Sequence, residues 1–289
     1  MKFLKGLIHS NVYISLAAVF LTVQTQIQLG LVPQWRPYLF IIFFATLFEY
    51  NLHRLVTLLM VKDAINSDKH AWVRENQKAF YTLVLISTVA FVIVLWIAKT
   101  KVLFTLAPIA LLTLFYSIPI ARSKSYIFRL REVPYLKLFL ISFVWAAVTI
   151  LLPVVHAEIN FDRMHVLLLF SERFLFILAI AIPFDIRDIE SDRQASLKTI
   201  PILLNEHRSL RLSYVALLAF AVMVLFHYSW QQDWSILMPM LITAIITFFL
   251  LQSPRIRNKP FYHHGYLDGT MLLQGLLVML FYYLNLVCH

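Results

Sequence analysis

The chain of 289 residues is 61% hydrophobic and only 14% charged, with a net charge of +10 and a single cysteine. A mean hydropathy of +0.77 lies far outside the range of a soluble domain of this size and reads as a polytopic membrane protein. Five glycines leave no room for a Gly-rich phosphate loop or a dinucleotide fingerprint, the lone Cys288 excludes a disulfide framework and a Cys-based metal site, and the positive charge follows membrane topology, so no nucleic-acid partner is expected.

Apolar stretches long enough to cross a hydrocarbon core are read at 11–31, 37–60, 79–98, 101–120, 134–155, 164–184, 211–230, 234–252 and 266–287, about nine spans in all. The first follows Lys2 and Lys5, carries Gln24, Gln26 and Gln28 and lacks a small-residue cleavage site. It reads as a retained helix rather than a signal peptide. The longest polar segments, 61–78 and 185–209, are both short, so residues 1–289 read as one all-α transmembrane domain. Of the 25 Lys and Arg, only Arg36, Lys99, Lys101 and Arg163 fall on one side and Arg173 within a span. The positive-inside rule then puts the N-terminus and the loops after spans 2, 4, 6 and 8 in the cytoplasm, and the C-terminus outside.

Charged groups inside a membrane are costly and commonly functional, which singles out Glu49, Glu172, Arg173 and Asp268. Glu172, near mid-bilayer, orients a polar acceptor, takes its proton, or pairs structurally with an Arg on a neighbouring helix. His263 and His264, before the last span, read as interfacial.

The stretch 182–201, IPFDIRDIESDRQASLKTIP, carries Asp185, Asp188 and Asp192 out of the sixth span. On a helix these carboxylates share an arc of roughly 60°. Like charges so placed repel and favour a cation among them, and Mg²⁺ is the natural one because it takes oxygen ligands and bridges carboxylates to substrate phosphates. Lys198 follows, Arg187 and Arg193 flank the stripe, and Arg122, Lys124, Arg129 and Arg131 share its side, which suits an anionic substrate. The plainer reading is a solvated charged loop between two spans.

The same run resembles the second aspartate-rich motif of the UbiA superfamily of intramembrane prenyltransferases, with the match carried by Arg187, Asp188, Glu190, Asp192, Arg193, Lys198 and Thr199. Tyr116 followed by Arg122 is similar to that family's cytoplasmic tyrosine and basic element. The resemblance implies a UbiA-like helical bundle of nine spans with its N-terminus inside. It implies Mg²⁺ on Asp185, Asp188 and Asp192, and a prenyl diphosphate donor held through Asn51, Arg54, Arg122 and Lys198. The allylic cation would form in a dry, aromatic-lined cavity of the membrane and be attacked by a small aromatic or lipophilic acceptor, as in the biosynthesis of quinones or related lipids.

The family's first motif, Asn-Asp-x-x-Asp, falls on the segment Phe48 to Leu55, where Asn51 matches and both aspartates are replaced, by Leu52 and Leu55. Three readings follow. Arg54 and Lys62 hold the diphosphate in place of one Mg²⁺, as a guanidinium binds phosphate oxygens bidentately; or Glu49 and His53, at i and i+4, act as substitute ligands or as an acid/base pair; or the fold keeps a lipid site without catalysis. The last is the alternative function: a noncatalytic or transport protein that binds a polyprenyl phosphate or quinone.

Overall fold

The computed structural model describes residues 2–60, 72–73, 75–117, 121–122, 127–128, 130, 133–194 and 197–288. The helices are α1 (Lys2–His9), α2 (Val12–Gln28), α3 (Pro37–Met60), α4 (Gln77–Trp96), α5 (Thr100–Ser117), α6 (Leu136–Ala157), α7 (Arg163–Arg187), α8 (Ile189–Gln194), α9 (Ile200–Gln231), α10 (Trp234–Gln252), α11 (Pro254–Arg257) and α12 (Asp268–Cys288). A π-helical turn, Tyr262–Leu267, leads into α12. Between α5 and α6, Ala121–Arg122 and Ile127–Phe128 form a two-residue antiparallel ladder.

Seven of these helices are long and apolar enough to cross a membrane, and α2 and α5 are shorter apolar helices. Together they stand where the nine spans are expected. α9 begins earlier than its apolar core because the backbone breaks at Asn205 (φ 67, ψ 170) and restarts there. Asn205 Oδ1 accepts the Arg208 N–H at 3.2 Å, a side-chain cap for the new helix start.

The core lies on both sides of α2. One cluster gathers Leu21, Phe176, Phe220 and Val278 from α2, α7, α9 and α12; the other gathers Val19, Leu39, Ile42, Val102 and Leu152 from α2, α3, α5 and α6. Exposed Leu85, Val89, Val92, Phe226, Ile245 and Phe249 lie on α4, α9 and α10, where hydrocarbon is their natural solvent. α12 approaches α2 closely at Gly275, where a Cβ would lie 2.5 Å from the Phe20 carbonyl oxygen. Small residues at such crossings let backbones meet where no hydrophobic effect drives helix association.

At the end of the bundle opposite Asp185, one polar knot joins α2, α7 and α9. Arg173 is 3% exposed and donates to Leu21 O at 3.1 Å and to Thr25 Oγ1 and Gln28 Oε1 at 3.4 Å. Glu172 faces His227 Nδ1 at 2.6 Å and accepts from the Tyr228 hydroxyl at 3.4 Å. Glu172 therefore pairs with α9, while the arginine that enters the knot is its own neighbour reaching α2. Proton positions follow from the chain of partners. The Gln28 carbonyl only accepts, so His165 Nε2 carries a proton towards it at 2.9 Å. A neutral His165 then accepts at Nδ1 from His227 Nε2, also at 2.9 Å, which leaves a shared proton between His227 Nδ1 and Glu172.

Gly275→Ala is expected to destabilise the detergent-solubilised protein by roughly 1–3 kcal/mol, because α12 must move off α2; Gly6→Ala, on helix α1 with nothing within 4 Å, is the control that does not lower the melting temperature. Glu172→Ala strands the proton-bearing His227 and is expected to cost roughly 3 kcal/mol, with Glu172→Gln costing less. Thermal unfolding checks both, and a Glu172→Ala melt equal to wild type would refute the account of the knot.

Candidate functional site

The apolar α7 runs to Arg187, and Asp188 caps its C-terminus (φ −90, ψ 5) before α8 restarts. The three carboxylates therefore do not share one helical stripe as the spacing predicts. Asp188 O takes the Asp192 N–H at 2.8 Å, and Asp192 O takes the Leu197 N–H at 2.9 Å, so the segment folds back over the end of α7. Three uncompensated carboxylates on one face would repel, and the break lets each meet a cation.

Asp185 and Asp192 turn inward, 2% and 3% exposed, and share the ammonium of Lys137, with Oδ1 of Asp185 at 2.7 Å and Oδ2 of Asp192 at 3.2 Å. Asp188 turns towards Arg187, accepting from Nε at 2.7 Å and from Nη2 at 3.1 Å, a two-point grip. Burial pushes the Asp188 carboxyl up, but the hydrogen bond and charge of Arg187 outweigh it and hold it below the usual carboxylate range.

Arg187 is held on its other sides as well. Its guanidinium lies 5.3 Å from the Phe184 ring centroid and donates to His264 Nε2 at 3.0 Å. Since that nitrogen accepts, the proton of a neutral His264 sits on Nδ1, 3.4 Å from Asp268 Oδ2. His263 and His264 pack edge-on against Phe184, which makes them supports for Arg187.

Lys137 is the site residue that the sequence reading missed. It sits in the first turn of α6, among Leu136, Leu138, Phe139 and Leu140. A lysine at the head of an apolar span was the available signal, since such a charge needs a partner. Lys137 also interacts electrostatically with Tyr116 of α5, and the Tyr116 ring lies 6.3 Å from that of His53 on α3. A line of polar groups thus runs from α3 through α5 and α6 to the carboxylates.

On α3, Asn51 and Arg54 are drawn into the elbow between α1 and α2. Asn51 Nδ2 donates to Leu47 O at 2.7 Å and to Ser10 O at 3.2 Å, while its Oδ1 accepts from Asn11 at 3.0 Å. Buried Arg54 donates to His9 O at 2.5 Å and to Asn11 Oδ1 at 3.0 Å, a cation at the C-terminal end of α1. Asn11 (φ 65) supplies the left-handed turn they brace. Glu49, half-buried, lies one turn before His53.

Lys198 is exposed, and its carbonyl accepts the Tyr135 N–H at 3.0 Å, which ties the segment after α8 to the start of α6. The Arg122 side chain and Lys62, Lys124, Arg129 and Arg131 lie outside the described residues. A cavity of about 350 Å³ opens beside Arg187, bounded by Pro183, Arg257, Tyr262 and His263. A larger one, about 630 Å³, lies at the opposite end, near Arg36, Lys99 and His156.

The model of the UbiA prenyltransferase family matches residues 74–260. The fold is similar to that of a UbiA homologue from Aeropyrum pernix K1, solved in its apo form, with a TM-score of 0.64 at 14% identity over 96% of this chain and 98% of that one. A UbiA homologue from Archaeoglobus fulgidus, bound to GPP and Mg²⁺, superposes with a TM-score of 0.61 at 13% identity over 94% and 99%. A digeranylgeranylglyceryl phosphate synthase gives 0.56 at 15% over 94% and 98%. No curated protein matches the chain.

Mg²⁺ in such a fold asks for oxygen ligands, commonly one or two carboxylates completed by waters and substrate phosphates. Among the described residues, no three His, Cys, Asp or Glu side chains converge on a common point. Asp188 and Asp192 supply the oxygen donors that one such ion takes, each here against a basic side chain, whereas α3 carries Leu52 and Leu55 where the first motif would bring aspartates. Family match, helical architecture and a carboxylate-rich break at the end of α7 agree: the chain is an integral, multi-pass membrane protein that belongs to the UbiA prenyltransferase family.

Proposed function

We propose that residues 1–289 act as one intramembrane prenyltransferase domain that moves an isoprenyl group from a prenyl diphosphate to a small aromatic or lipophilic acceptor, in the making of quinones or related lipids. The observation that carries this reading is the set of second-motif carboxylates, Asp185, Asp188 and Asp192, gathered with Lys137 and Arg187 at one end of a UbiA-type bundle. Basic residues clustered at that end support a cytoplasmic face for it and for the N-terminus, with the C-terminus outside.

In this reading the donor's C–O bond breaks with its electron pair on the diphosphate, and the acceptor bonds to the allylic carbon and gives up a proton. Mg²⁺, when bound, neutralises charge on the leaving diphosphate, and Asp188 and Asp192 would hold it. Lys198, Arg187 and Arg122 present positive charge to the diphosphate oxygens. Asn51 and Arg54 act by bracing the α1–α2 elbow. Glu49, the lone carboxylate of α3, is assigned to take the acceptor's proton.

A second reading, a binding or transport protein for a polyprenyl phosphate or quinone, is favoured by Leu52 and Leu55 in the first motif. One assay separates the two. Purified protein with Mg²⁺, a panel of prenyl diphosphates and aromatic acceptors is expected to release pyrophosphate in an acceptor-dependent way. Asp188→Asn and Asp192→Asn are each expected to lower the rate by about 100-fold or more, the scale on which one electrostatic stabiliser acts. Donor binding without release would favour the second reading, and full turnover by both variants would sink the assignment of the carboxylates.

A further inference from the structure

Three side chains that the proposed chemistry uses only in part form a buried ionic cluster. Lys137, Asp185 and Asp192 are 8%, 2% and 3% exposed, and one ammonium serves both carboxylates. Lysine is an unusual choice for this position. It sits in the first turn of α6, where the helix dipole disfavours a cation. Two buried carboxylates offset that cost, and without the ammonium they would face each other uncompensated.

The arrangement is also locked from outside. Tyr135, two residues before Lys137, is held in a left-handed conformation (φ 63) with its N–H on Lys198 O. The Asp192 carbonyl, bonded to Leu197 N, fixes the other wall. An ammonium is a compact point charge with several donors; placed between two carboxylates, it does the work of a small cation. Meanwhile α3 carries Leu52 and Leu55 at the two first-motif positions where aspartates would share a further ion, and its one carboxylate, Glu49, lies outside them.

We infer that the Lys137 ammonium takes the place of a divalent cation between Asp185 and Asp192, so that Asp185 is a positioning residue for Lys137 rather than a metal ligand, and the site holds at most one divalent ion. This inference builds on the proposed transferase reading, yet it is tested without donor or acceptor, so the two fail separately.

The experiment counts Mn²⁺, a paramagnetic stand-in for Mg²⁺, bound to full-length protein in detergent micelles, by electron paramagnetic resonance and calorimetry. Wild type is expected to bind one ion, which Asp188→Asn removes. Lys137→Gln gains one further ion, and Lys137→Gln combined with Asp185→Asn loses it again. An unchanged count in Lys137→Gln, or two ions in wild type, would overturn the inference. No ion in wild type but one in Lys137→Gln would support it while removing the metal from the proposed mechanism. Should Lys137→Gln fail to fold, Asp185→Asn with Lys137 intact decides: an Mn²⁺ affinity within about 100-fold of wild type, the most that an outer positioning residue costs, supports the inference, and a larger loss or no binding refutes it.

Discussion

The ammonium of Lys137 is the charge around which one end of this bundle is arranged. Asp185 belongs to the last turn of α7 and Asp192 to α8, so a single group on α6 holds together two helices that the chain breaks apart at Asp188. Away from water, two adjacent carboxylates are tolerated only with a cation between them, and a lysine only with anions around it. The backbone break, the return of the chain marked by the Leu197 N–H on Asp192 O, and the inward turn of Asp185 and Asp192 all serve that one requirement. Asp188, left outside the cluster, finds Arg187 instead.

The opposite end obeys the same constraint with different chemistry. Glutamines of α2, which look out of place in an apolar span, find their partners there: Gln28 bonds Tyr228 at 2.7 Å, and Gln26 bonds Tyr38. Arg173 and Glu172 are adjacent in sequence but reach in opposite directions, one to α2 and one to α9. Hydrocarbon offers no water to satisfy these groups, so each polar side chain in a span specifies a neighbour. Two ionic knots, one at the C-terminal end of α7 and one about halfway along it, thereby fix the register of that helix.

Much of the architecture was legible in the residues. Apolar stretches long enough to span a membrane placed the helices to within a few residues, and Asp188, Asp192, Lys198 and Thr199 carried the family resemblance. Hydropathy starts the seventh span only at 211 because Asn205 to Ser209 form an unbroken polar run; the helix extends through them because Asn205 caps a new start. The stripe of three aspartates was read as continuous because helical periodicity carries no information about where a helix stops under electrostatic stress. Lys137 was missed for a related reason. A single lysine at the edge of an apolar run looks like a flanking charge until its partners, about 50 residues away in sequence, come into view.

The sequence by itself determined that this chain spans a membrane many times as helices and that one loop concentrates carboxylates, since hydropathy and local spacing are properties of contiguous residues. Only the tertiary structure decided which cation each carboxylate meets, that Asn51 and Arg54 turn towards the α1–α2 elbow, and that Glu172 bonds α9. Those outcomes depend on which helices pack side by side, and helix packing brings together groups whose separation along the chain carries no periodic signal.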